Sequence, residues 1–423
     1  MKRLSLAHGT ALYVGAVLGT GVIALPALAA EVSGPASLLA WVLLVVASAP
    51  LAFAFAALGS RYPDAGGVST YARLAFGPRA ASIVGWCFFF AVPPGASAAA
   101  LFVGAYLEAA VGGGRITVAV AAAAMIAVVG AANAFGVRLS GRVQFGLTLL
   151  LVTFLLVAVV LSAPHMRTDN LTPFAPHGWL AIGPTAALLV WSFVGWEAIT
   201  HLTAEFRHPA RDVPRATAAA VVLVGVLYLA IAFAVITVLG PAAGASDAPL
   251  GEVLAVAVGG DARLLAAGAA ILLTFGAINA YFAGGAKLGA ALGRDGAFPA
   301  WLGQGSSAGE VPRRSLGVMV GGVTIGLCAV LASGVGARVL VLVTTGLFVT
   351  VYAVGVAAAV KLLPRRSTAW WTAVAAMVIV LVLAVLTGRY LVWAALVTSG
   401  ALLHERFRAR RAAEADPSMS HSG

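Results

Sequence analysis

Glu197 is the residue around which the chemistry of this chain gathers. It sits in WSFVGWEAITHLTAEFRHPARDVPR, residues 191–215, a run that opens apolar and ends dense with charge. A carboxylate inside a hydrocarbon-length segment is costly unless it faces protein, water or a partner. His201 and Glu205 follow at i+4 and i+8, so a continuous helix would set all three on one face. Histidine titrates near neutrality, which makes Glu197 and His201 candidates for passing a proton. The alternative role is structural: Glu197 hydrogen-bonds local backbone and His201 marks the membrane surface. Both readings are open on sequence alone.

Gly195, two residues before the acid, is a point where this helix can unwind. An apolar helix with a glycine break and an acid beside it is how transporters build a site at the membrane midplane, provided a second broken helix faces it. The N-terminal run GTALYVGAVLGTGVIALPALAA supplies one. Gly15, Gly19 and Gly21 crowd its middle and Pro26 follows. Each glycine weakens a helix interior by about 1 kcal/mol relative to alanine, so a break is predicted near Gly19-Thr20-Gly21. Gly15 and Gly19 alone would also serve as a small-xxx-small packing face.

The elements that must hold these residues follow from composition. The chain has 423 residues, 61% hydrophobic and 10% charged, and a mean hydropathy of +1.00. That is too apolar for a soluble protein. Apolar runs of about 20 residues can span a bilayer. Twelve are read here, near 10–30, 37–59, 81–108, 116–134, 143–163, 183–203, 216–239, 263–290, 315–334, 338–361, 369–387 and 389–404.

The net charge of +11 follows topology rather than a nucleic-acid footprint. With the N-terminus in the cytoplasm, cytoplasmic segments carry twenty Lys and Arg and external ones five, with Lys287 inside a span. That asymmetry obeys the positive-inside rule with both termini cytoplasmic. An eleven-span alternative would place the basic tail Arg406 to Arg411 outside. The expected organisation is a short N-terminus (1–9), a ten-helix core (10–361), two further spans (369–404) and a basic tail (405–423).

Other features are quieter. Ala27-Leu28-Ala29 resembles a signal-peptidase site, but its apolar run is long for a signal and further spans follow. Cys87 and Cys328 lack metal-type spacing. The loop RYPDAGGVSTYARLAFGPR is punctuated by Pro63, Gly66-Gly67 and Gly77-Pro78 into short ordered pieces. The eighth span carries Thr274, Asn279 and Tyr281 as interior polar groups, and Gly285, Gly289 and Gly293 at four-residue spacing as a packing face. Lys287 can snorkel to the cytoplasmic surface. The seventh span is plain, and spans nine to twelve read as scaffold.

The breaks fall in the first and sixth spans, the first of each half of a ten-span unit. Five is odd, so the second half enters the membrane from the opposite side, as in an inverted repeat. Here the residues resemble a family. GAVLGTGVIALPA, RYPDAGGVSTYARLAFG, WSFVGWEAITHLTAEFRHPARDVPRA and AKLGAALGRDGAFP are similar to the corresponding stretches of amino-acid permeases of the amino acid-polyamine-organocation superfamily, in particular its bacterial exporters of methionine and branched-chain amino acids. Lys287 stands where a serine-arginine pair is usual there.

The resemblance implies an all-α LeuT-like fold of two inverted five-helix repeats plus two helices, alternating access, and a zwitterionic amino acid held between spans 1 and 6. Residue by residue, backbone N–H groups around Gly19, Thr20, Gly21 and Val22 would take the carboxylate. Carbonyls near Trp191, Ser192 and Phe193, freed by the Gly195 break, would take the ammonium, and Trp191 matches the aromatic gate. Trp191, Phe193 and Trp196 make the side-chain pocket apolar, which points to methionine, leucine, isoleucine or valine. Export, a proton as coupling ion, and a bacterial plasma membrane complete the expectation. The motifs of membrane enzymes and the charged ring of a channel are missing from the sequence. No metal site or cofactor is expected. The alternatives are a sensor on a transporter scaffold, and an uptake permease or exchanger of other amino acids or amines.

Overall fold

A computed structural model describes residues 5–63, 67–136, 141–197, 200, 203, 206–305 and 310–415. Fifteen α-helices run through it, joined by turns and short 3-10 segments, and no sheet occurs among the described residues. The chain opens with α1 (Leu6–Leu18) and α2 (Gly21–Ser33), two pieces of one apolar run, then α3 (Ser37–Arg61). A short α4 (Val68–Phe76) precedes α5 (Pro78–Val111), α6 (Gly114–Ala134) and α7 (Gly141–Ser162). The second half comprises α8 (Ile182–Leu189), α9 (Pro209–Leu239), α10 (Pro249–Val258) and α11 (Ala262–Arg294). It closes with α12 (Arg313–Ser333), α13 (Arg338–Leu362), α14 (Thr368–Thr387) and α15 (Leu391–Ala415).

Among the described residues, nine stretches are long and apolar enough to cross a membrane. Two of them hold more than one helix: Leu6–Arg61 contains α1 to α3, and Thr368–Arg408 contains α14 and most of α15. The outward surface agrees with a bilayer as solvent. Val46, Ile116, Ile325 and Val385 are each at least two-thirds exposed (67%, 76%, 71% and 79%). Leaving such side chains in water on every face would be unfavourable, whereas lipid tails accept them. This is a multi-pass membrane protein.

Three elements add detail to the sequence reading. The loop after α3 contains a true helix, α4, which buries Val68, Tyr71, Ala72 and Ala75 on one side. A ten-residue helix, α10, forms between the seventh and eighth apolar runs. The basic tail starts as a continuation of α15 rather than as a separate segment. Arg408 there donates to the Asp295 carbonyl at 3.0 Å, just past the end of α11.

The site is held by a few long contacts. α5 packs against α6, α11 and α13, while α9 packs against α1 and α3. At 34 residues α5 measures about 50 Å, longer than a bilayer core, and carries Pro93-Pro94 at its centre. Asn133 of α6 donates to Asn279 of α11 at 2.8 Å, both buried, so each amide finds a partner where no water is at hand.

Candidate functional site: two broken helices facing one cavity

The first break is a backbone event. α1 stops at Leu18, Gly19 takes φ +35° and ψ −140°, and the helix restarts at Gly21. That conformation belongs to glycine, because any Cβ would be strained there. Thr20 precedes the new helix but gives it no side-chain cap. The first N–H groups of α2 therefore keep their donors free of a side-chain acceptor, as a helix N-terminus does when it is meant to meet an anion.

The second break is longer. α8 tightens into a 3-10 turn over Val190–Phe193, then Val194 becomes extended (φ −65°, ψ 122°) and Gly195 adopts φ +128°. A Cβ on Gly195 would lie 2.7 Å from the Ala16 carbonyl oxygen and 2.9 Å from its carbon. The two breaks thus touch backbone to backbone, which only a glycine allows. The Trp191 carbonyl accepts the Val194 N–H at 3.0 Å, and the Ser192 hydroxyl donates to Leu189 O at 2.5 Å.

Glu197 closes this turn. Its Oε2 accepts the Gly195 N–H at 3.0 Å and the Tyr352 hydroxyl of α13 at 2.7 Å. The residue is 1% exposed, and Oε1 has no hydrogen-bond partner among the described residues. At the described positions that follow, Thr200 N–H bonds Glu197 O at 3.0 Å and Phe206 N–H bonds Thr203 O at 3.4 Å, both i to i+3. The i, i+4, i+8 face expected for Glu197, His201 and Glu205 falls largely on residues outside those described. His201 and Glu205 themselves lie outside the described residues, as does the side chain of Phe193.

Both breaks open on one cavity. It holds about 550 Å³ of space free of atoms, its open mouth included. Gly19, Thr20, Gly21 and Trp191 line it, as does Val194. Val22, Ser192 and Gly195 are not among its lining residues, but each adjoins one that is: Gly21, Trp191 and Val194. The facing wall is mostly apolar, with Ala91, Gly95, Ala96 and Ala99 on α5, Ile278 on α11 and Phe348 on α13; Tyr281 on α11 and Thr344 on α13 are its polar groups. Trp191 stands beside Phe102 with ring centroids 5.8 Å apart.

Sequence reasoning passed over two tyrosines here. Tyr352 lies on a helix read as scaffold, and Tyr228 on α9, a helix read as plain. Tyr228 directs its hydroxyl at Val17 O, Leu18 O and Ser192 O. Tyrosine favours the membrane interface. Its occurrence in mid-helix, far from either end of α9 or α13, is the signal that could have marked both residues. Tyr281, noted from sequence as an interior polar group, lines the cavity from α11.

An uncapped helix start, a run of turned carbonyls and a mostly apolar chamber between them, inside a multi-pass membrane protein, have the form of a small-molecule site. The comparisons with known proteins make the class specific. The amino acid permease family model matches residues 4–403. An uncharacterized amino acid permease of Bacillus subtilis, YecA, is 32% identical over 377 residues, 89% of each chain. The L-methionine/branched-chain amino acid exporter YjeH of Escherichia coli is 32% identical over 372 residues, 86% of this chain and 87% of that one. A branched-chain amino acid permease of B. subtilis, BcaP, is 26% identical over 52% of each. The chain belongs to the amino acid permease family, a family of membrane transporters.

Proposed function

We propose that the protein is a secondary active transporter of neutral apolar amino acids, with methionine, leucine, isoleucine and valine as substrates, working as a proton-coupled exporter in a bacterial plasma membrane. The observation that carries this is the single cavity shared by the two breaks, with turned backbone on one side and, on the α5, α11 and α13 side, a mostly apolar wall whose polar groups are Tyr281 and Thr344. The substrate carboxylate meets the N–H groups at Thr20, Gly21 and Val22. Its ammonium meets carbonyls at Trp191 and Ser192, each of which keeps a second lone pair beyond the bond it already accepts. Gly19 and Gly195 give the turns, Phe193 belongs to the turned segment, and Trp191 closes the cavity toward Phe102.

The fold in this reading is LeuT-like: twelve spans, two inverted repeats of five within 10–361, two more at 369–404, and both termini cytoplasmic. The relatives named for methionine and branched-chain substrates support the apolar class. Counterflow in proteoliposomes against all twenty amino acids tests it; a preference for arginine or glutamate would sink it. Inside-out vesicles loaded by a proton gradient separate export from uptake.

Glu197 is the proton-coupling candidate, with His201 as its proposed continuation. Oε1, which has no partner among the described residues, supports this, since a buried carboxyl oxygen with no donor is costly unless it is protonated or hydrated at some point in the cycle. Glu197→Gln is then expected to lose proton-driven accumulation yet keep amino-acid exchange. Full pH-driven accumulation by that variant would leave Glu197 a purely structural acceptor for Gly195 and Tyr352.

A further inference from the structure

Three carbonyl oxygens converge on one hydroxyl where the breaks meet. Tyr228 Oη on α9 lies 3.0 Å from Val17 O, 3.2 Å from Leu18 O and 3.0 Å from Ser192 O. Val17 and Leu18 end α1, and Ser192 is in the turn that ends the α8 run, so these are the orphan carbonyls of two helix C-termini. The ring is fully buried and stacks on Trp41 of α3, with centroids 4.9 Å apart and planes 24° apart. A Cβ on Gly21 would stand 3.1 Å from the same hydroxyl.

A phenol has one hydrogen to donate, and each carbonyl oxygen has two lone pairs. One hydrogen cannot saturate three such acceptors. The C-terminal ends of both helix segments carry partial negative charge, and a cation at that point is favoured by both. The hydroxyl therefore does two things: it draws the two carbonyl ends together, and it leaves most of their acceptor capacity unspent. Val17 is also on the cavity wall, so the cluster borders the chamber in which a substrate would lie.

We infer that Tyr228 is a positioning residue for ammonium recognition: its hydroxyl holds the carbonyl ends of the first and second breaks at the spacing that receives a primary ammonium group. The inference rests on the reading that an amino acid binds between the breaks. It assigns the spacing of the receptor to a helix with no break of its own, and it needs no contact between Tyr228 and the substrate.

The test is Tyr228→Phe, which keeps the ring on Trp41 and deletes only the hydroxyl. Leucine counterflow is measured in proteoliposomes beside the wild type, together with protein yield and melting temperature. The expected result is a KM raised about tenfold, with the maximal rate within about twofold and the melting temperature close to wild type. Inhibition by leucinol, which keeps the ammonium and lacks the carboxylate, should weaken by the same factor. An unchanged KM overturns the inference. So does a fall in maximal rate with KM unchanged, which would mean general packing. If Tyr228→Phe fails to accumulate, Trp41→Phe keeps the hydroxyl but loosens its ring. It should raise KM in smaller measure, and a wild-type KM there overturns the inference as well. A wild type that moves neither leucine nor methionine removes the amino-acid reading and this inference together; a working wild type beside an unchanged variant removes this inference alone.

Discussion

The two breaks solve one problem with different means. The first is two residues wide: Gly19 turns the chain, Thr20 follows, and a full α2 resumes at once. The resumed helix takes up its own N–H groups after the first turn, and the carbonyls at the end of α1 meet the Tyr228 hydroxyl. The second does not resume at once. From Val194 onward the described chain turns in i to i+3 steps, and a buried carboxylate has to receive the Gly195 N–H that no helix receives. The short break thus presents helix-start donors beside the carbonyls that end α1, the long one turned carbonyls alone, and Glu197 is the cost of the longer excursion. A glycine with open space suits the first, whereas the second demands a glycine against backbone.

That contrast ranks the expected effects of substitution. Gly195→Ala should be the most damaging. It adds strain at φ +128° and places a Cβ 2.7 Å from Ala16 O, so the breaks must part. A displacement of that size should reduce counterflow by about a hundredfold or more, and a variant with near-normal exchange would show that the backbone contact is dispensable. Gly21→Val comes next. Its first added carbon meets Tyr228 Oη at 3.1 Å, Leu25 Cδ1 at 3.2 Å and Ser192 Cα at 3.3 Å, and the branches have nowhere to go. Transport should be abolished with normal protein in the membrane, and quantitative immunoblotting beside counterflow checks both halves.

Tyr352→Phe should act on the long break alone. It removes the 2.7 Å bond to Glu197 and leaves the Gly195 N–H as the remaining described donor on Oε2. A loss of about 1–3 kcal/mol in stability is expected, read by thermal denaturation in detergent. The double variant with Glu197→Gln should then cost less than the sum, since both act on one bond. The smallest effect on transport is expected at Gly19→Ala. The nearest atom to its Cβ is Ala16 O at 3.5 Å, so only the backbone conformation is strained. About 1–3 kcal/mol of stability should go while exchange persists. If Gly19→Ala proved as damaging to transport as Gly195→Ala, the contrast drawn between the breaks would be wrong.

Much of this was legible in residue order. Crowded glycines marked where the first helix would fail, and an acid beside Gly195 marked the second, because both are expensive in an apolar helix and local sequence sets that cost. Apolar runs and the distribution of arginines are likewise local quantities, so they read directly as membrane helices and a proposed orientation. What tertiary structure decided is which distant groups satisfy the broken backbone. Tyr352 is 155 residues from Glu197 and Tyr228 is 211 from Val17, and no period or motif links positions so far apart. A single hydroxyl in an apolar run looks the same from sequence whether it faces lipid, a neighbour or a break. Only packing chooses among these, because a hydrogen bond depends on angstrom-scale placement that chain order does not encode.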